Sequence, residues 1–155
     1  MSVKTIDHLA ICVRDLDAAR DRFAALFGAE FQFVDEIASL KVRSAFFKLG
    51  DKLVTLEQPT AEDSSFAAFL NKNGEGVHHV AIEVDDLAAY KAELEAQGIT
   101  PVNVQMEDPL RREFLILPKD ALGMLVQVIE WRGELKHSLD ARIAYSRDGY
   151  QMPGG

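Results

Sequence analysis

Cysteine is nearly missing from this chain: Cys12 is the single one in 155 residues. One thiol forms neither an intramolecular disulfide framework nor a Cys-rich zinc module. No apolar run approaches the ~20 residues that a membrane-spanning helix needs. The opening MSVKTIDHLA lacks the basic-then-apolar order of a secretory leader. Positive charge is in deficit, with 17 Lys and Arg against 25 Asp and Glu and a formal net charge of −8. Polyanions are repelled by such a surface, which argues against nucleic acid and anionic membranes as general partners. What is present is an ordinary globular balance, 48% hydrophobic and 27% charged. The expectation is a cytoplasmic, acidic, compact protein.

The chain repeats itself. Residues 7–20 read DHLAICVRDLDAAR and residues 78–91 read HHVAIEVDDLAAYK; seven of the fourteen positions are identical, among them His8/His79, Asp15/Asp86 and Leu16/Leu87. A second pair sets KLVTLEQ (52–58) against MLVQVIE (124–130), with Leu53/Leu125 and Val54/Val126 shared. Each half therefore opens and closes on the same strand, as a duplication would leave it. Strands are expected at 5–13, 29–35, 39–49 and 52–58, and again at 78–84, 100–106, 111–117 and 123–131. Asp15 and Asp86 stand where helix N-caps belong, followed by helices with apolar residues at 3–4 spacing and by Gly28 and Gly98 as stops. The fold class is α+β: two tandem βαβββ modules forming an open, curved mixed β-sheet cup. The expected division is a first module at 1–60, a linker at 61–76 with a short helix around 64–72, a second module at 77–131, and a tail at 132–155.

Alternation along a strand puts His8 on one face with Ile6, Ala10 and Cys12, and His79 with Ala81 and Glu83. Thr55 and Gln127 occupy equivalent places on the closing strands. If the halves pair about a pseudo-two-fold, His8, Thr55, His79 and Gln127 converge inside an otherwise apolar sheet, and two neutral imidazoles there begin a divalent metal site. The structural alternative stands beside it, because a lone His on an apolar face is usually a hydrogen-bonded core residue. His78 points away from His79 and reads as structural. Cys12 reads as a small buried residue rather than a nucleophile.

The segments IDHLAICVRDLDAA, NKNGEGVHHVAIEVDDLAA and LPKDALGMLVQV, spread over about residues 5–130, resemble the vicinal oxygen chelate (glyoxalase/bleomycin-resistance/dioxygenase) superfamily and, within it, the methylmalonyl-CoA epimerases. The resemblance implies paired βαβββ modules around a divalent metal (Co, Mn, Ni, Zn or Fe). It further implies a small acid or acyl-CoA thioester as substrate, epimerase-like isomerase chemistry beside its carbonyl, and a homodimer. Carried over, His8 and His79 match the two histidine ligands, and Gln127 stands where a ligand Glu is usual. Thr55 replaces a Glu or Gln, and Ser44 falls near the place of a catalytic Glu. Gln coordinates through its carbonyl oxygen but accepts no proton as Glu does. Glu57, on the Thr55 face, reads as a rim residue or, if the strand register shifts, as a substitute carboxylate, and Thr55 as a weak donor lining the site. With its usual carboxylates replaced, the chain has two alternatives: a non-catalytic binder of the bleomycin-resistance type, or a lyase or dioxygenase of the superfamily. Without metal, His8 and His79 would serve directly as acid–base groups.

Arg111, Arg112 and Lys119 near the last hairpin are cations suited to an acidic substrate or CoA phosphates, although a solvated hairpin is the commoner reason for such charges. The tail, with Tyr145, Tyr150 and Met152, reads either as disorder or as an arm that packs across a partner or closes the cup.

Overall fold

A computed structural model describes residues 2–148 of the protein. Its element order is β1 (Val3–Cys12), α1 (Leu16–Phe27), β2 (Glu30–Ile37), β3 (Val42–Leu49), β4 (Lys52–Pro59), α2 (Ser65–Asn73), β5 (Gly76–Val84), α3 (Leu87–Ala96), β6 (Val102–Gln105), β7 (Arg111–Ile116), β8 (Val126–Trp131) and α4 (Leu139–Asp148). Strand, helix and three strands thus follow one another twice. The hydrogen-bonded order is β2-β3-β4-β1-β5-β8-β7-β6, an open sheet with β2 and β6 at its two ends. It is mixed, since β5 pairs with β8 in parallel while β2–β3, β3–β4, β6–β7 and β7–β8 are antiparallel. The α+β expectation holds. Among the described residues no helix is long and apolar enough to cross a membrane.

The chain forms two compact units: one joins the residues up to His8 to His79–Ala141, the other joins Leu9–His78 to the described residues from Arg142 on. In the first, α3 packs Leu87 and Leu94 on Val84, Phe114, Ile116, Val126 and Val128. In the second, α1 packs Leu16 and Phe23 on Ala45, Phe47, Val54 and Leu56. Each set alternates along its strands, so the opposite face is left to other residues.

Each helix starts in the same way. Asp15 accepts from Ala18 N–H (3.1 Å) and Asp86 from Ala89 N–H (2.9 Å), satisfying amide groups that a first turn leaves without partners. A second acceptor comes from the closing strand. Leu16 N–H donates to Gln58 Oε1 (2.7 Å), and Leu87 N–H donates to Glu130 Oε2 (2.8 Å). The helix start and the closing strand of each half are thereby tied together at duplicated positions.

Boundaries move where the backbone turns left-handed. Lys41 at φ 52° closes a 3-10 turn (Ala38–Leu40), so β3 begins at Val42 rather than at 39. Asn103 at φ 51° lies within β6, where the β6–β7 register shifts between Val102 and Gln105, and β6 spans four residues. Leu122 and Gly123, both at positive φ, delay β8 to Val126. The segment after β8 is no unstructured tail as far as it is described: a 3-10 turn (Gly133–Lys136) precedes α4, and Leu135 and Ile143 are buried. Tyr145 lies on α4, while Tyr150 and Met152 lie outside the described residues.

Candidate functional site

In the first unit, Ala81 of β5 lies beside Gln127 of β8, and Leu115, Glu113 and Arg111 of β7 lie beside Gln127, Ile129 and Trp131. Paired residues point the same way, so His79, Gln127, Glu113, Arg111 and Trp131 share the face turned away from α3. The His8 and His79 rings meet edge to face, centroids 5.6 Å apart. The two duplicated histidines are therefore neighbours. His8 Nδ1 lies 2.7 Å from Asp7 Oδ2, and Asp7 Oδ1 accepts from Trp131 Nε1–H at 2.7 Å. Gln127 is buried. Glu83 pairs with Lys4 at 3.2 Å, as an ion-pairing residue on the His79 face would.

The three cations near the last hairpin separate. Arg111 is buried: its Nε donates to Glu113 Oε2 at 2.5 Å and its guanidinium lies 5.0 Å over the Trp131 ring. Arg112 alternates to the opposite face of β7, where its Nε is buried with no hydrogen-bond partner among the described residues. Lys119 is exposed on a 3-10 turn (Pro118–Asp120).

In the second unit, β3 and β4 align Ser44 with Glu57 and Phe46 with Thr55, on the face opposite Ala45, Phe47, Val54 and Leu56. Ser44 Oγ donates to Glu57 Oε2, and Ser44, Thr55 and Glu57 are all buried. Phe33 stacks on Phe46 at 4.3 Å beside them. His78 packs between Phe66 (4.2 Å, stacked) and Phe69 (5.1 Å, edge-on), and burial lowers its pKa to about 4, so the imidazole is neutral near pH 7. The Cys12 thiol donates to Phe66 O, and burial, with Glu57 nearby, pushes it up to about 11. Both groups are uncharged near pH 7.

Among the described residues, no cluster of three or more His, Cys, Asp and Glu side chains is disposed to hold a metal ion. The first unit nevertheless offers two imidazoles, one of them backed through Nδ1 by a carboxylate as metal-bound imidazoles usually are, and a neutral amide on the same sheet face. That nitrogen-rich set fits a borderline divalent ion. Sequence reasoning passed over Asp7 and Trp131. Their signal was slight: an acid directly before His8, and the single tryptophan of the chain.

The open mixed sheet, with strand–helix–three strands used twice, defines a class, and the family model described as the Glyoxalase/Bleomycin resistance protein/Dioxygenase superfamily matches residues 7–113. An uncharacterized Bacillus subtilis protein, YqjC, is 29% identical over 83% of this chain and 94% of its own. Mitochondrial methylmalonyl-CoA epimerase of Mus musculus is 31% identical over 79% of this chain and 71% of its own. A variant of Streptomyces coelicolor methylmalonyl-CoA epimerase, solved in complex with 2-nitronate-propionyl-CoA, superposes with a TM-score of 0.75 and 31% identity, covering 85% of this chain and 100% of that one. The chain belongs to this superfamily and, within it, to the family of the methylmalonyl-CoA epimerases.

Proposed function

We propose that the protein is an epimerase-like isomerase of an acyl-CoA thioester, acting at the carbon next to the thioester carbonyl. The observation that carries this reading is the His8–His79 pair, with His8 tied to Asp7. Its relatives support the substrate class, being named methylmalonyl-CoA epimerases or solved with a CoA ligand. His8 and His79 would hold a divalent ion, with Gln127 as a neutral third donor. Such an ion supplies Lewis acidity toward a carbonyl oxygen, which makes the neighbouring C–H acidic enough for a side-chain base.

The proton itself is assigned to this chain's own groups. Glu57 is a buried carboxylate on the fourth strand, and Ser44 Oγ–H donates to one of its oxygens. That bond orients the carboxylate, and Glu57 is the candidate substitute base. Thr55, on the same face, would donate or accept a hydrogen bond to substrate. Lys119 is the exposed cation assigned to the CoA phosphates. Homodimer assembly and residence in the cytoplasm belong to this reading on resemblance and composition.

A second reading follows from neutral Thr55 and Gln127, both buried, at positions where the resemblance implies a Glu or Gln and a Glu: a protein that binds the thioester without reacting. Solvent exchange separates the two. Methylmalonyl-CoA incubated in D2O with the Co(II)- or Mn(II)-loaded protein is expected to gain one deuterium in its acyl group by mass spectrometry. Glu57→Gln should lower that rate by about 10²-fold or more while CoA-thioester binding persists. Binding without exchange in the parent, under Co(II), Mn(II), Ni(II) and Zn(II) alike, makes the protein a binder.

A further inference from the structure

Asp7 is a buried acid next to a histidine, and the proposed chemistry gives it no step. Both carboxylate oxygens are engaged: Oδ1 accepts from Trp131 Nε1–H and Oδ2 lies 2.7 Å from His8 Nδ1. The indole has no other polar atom, so its direction is fixed by this one donor. The ring is braced from its face by the Arg111 guanidinium at 5.0 Å, itself held by Glu113 at 2.5 Å. All of these side chains are in one compact unit, on β1, β7 and β8.

An ionised carboxylate only accepts hydrogen bonds, so the proton on a neutral His8 must sit on Nδ1. We infer that Asp7 is a positioning residue for His8: its carboxylate, locked by Trp131, holds the imidazole in the Nδ1-protonated tautomer and leaves Nε2 as the working atom. This rests on the reading of His8 as a site residue. Trp131 and Arg111 then serve the site at one remove. Arg111 acts by bracing the indole rather than by meeting an acidic ligand.

Asp7→Asn tests the inference with almost no change of shape. The new amide keeps an oxygen for Trp131 but offers N–H to His8 Nδ1, which reverses the tautomer. In the metal-free full-length protein, nitrogen NMR of His8 should show the proton on Nδ1 in the parent and on Nε2 in Asp7→Asn. Co(II) affinity, measured by titration with the metal alone, should fall about 10–100-fold. A merely structural Asp7 would not move the tautomer, so an unchanged tautomer with unchanged Co(II) affinity overturns the inference. Trp131→Phe keeps the Asp7–His8 bond but removes the indole donor to Oδ1: the tautomer should persist while Co(II) binding weakens several-fold. Should Asp7→Asn not fold, this variant decides, and unchanged Co(II) affinity overturns the inference. His8→Ala separates the two levels. If it binds Co(II) as tightly as the parent, the metal reading fails, while the tautomer in metal-free Asp7→Asn still decides the role of Asp7.

Discussion

At the scale of single residues, the site-bearing side chains divide into those that recur and those that do not. His8 and His79 occupy the same place in each repeat, and that recurrence made them visible from the chain alone. Asp7 and Trp131 do not recur and stand 124 residues apart, so no local pattern joins them. Ser44 and Glu57 are nearer in sequence, but their bond depends on the β3–β4 register, which a one-residue slip would undo. Cys12 illustrates the plainer fate of a polar side chain. Its thiol is fully buried and its pKa is raised from 9.0 to about 11 by desolvation. In the unfolded chain the same thiol ionises first as pH rises. Stability contributed by the protonated form is therefore complete below pH 9 and lost progressively between pH 9 and 11. Thiol labelling at pH 8 should be slow in the native protein and fast in denaturant; rapid native labelling would contradict the burial.

Elements were legible where periodicity and caps agreed. The N-cap aspartates Asp15 and Asp86 announce α1 and α3. Strand edges depart from the expectation where a non-glycine residue adopts left-handed backbone, as at Lys41 and Leu122, because nothing in the residue type requires it. Helix α4 went unread because LDARIAYSRD has little apolar periodicity, with Ile143 as its buried residue. The Gln58 and Glu130 links were hidden for another reason: they join a strand to a helix start 42 and 43 residues away. Their weight is measurable. Glu130→Ala leaves the buried Leu87 N–H without its acceptor and should cost about 1–3 kcal/mol in denaturant unfolding. Glu130→Gln keeps an acceptor oxygen and should restore most of that loss. Equal destabilisation by both substitutions would show that the charge, and not the hydrogen bond, matters.

For the molecule as a whole, duplication explains how a short chain acquires a polar site. A repeated strand brings a second copy of each side chain, and the family relationship follows from the same pattern: a matched segment from residue 7 to 113 and relatives named as epimerases. Substitution then adapts the copies. The closing strands hold neutral Thr55 in one half and neutral Gln127 in the other, and at the proposed His8–His79 site Gln127 would leave a dication less compensated than a carboxylate would. Metal binding at this site therefore requires that two imidazoles and an amide suffice. Metal content per chain measures this directly, on dialysed, untagged protein beside a His8→Ala/His79→Ala double variant. The expected result is close to one divalent ion per chain in the parent and none in the variant. A parent that carries no metal after exposure to Co(II), Mn(II), Ni(II) and Zn(II), or a double variant that carries as much as the parent, would contradict it.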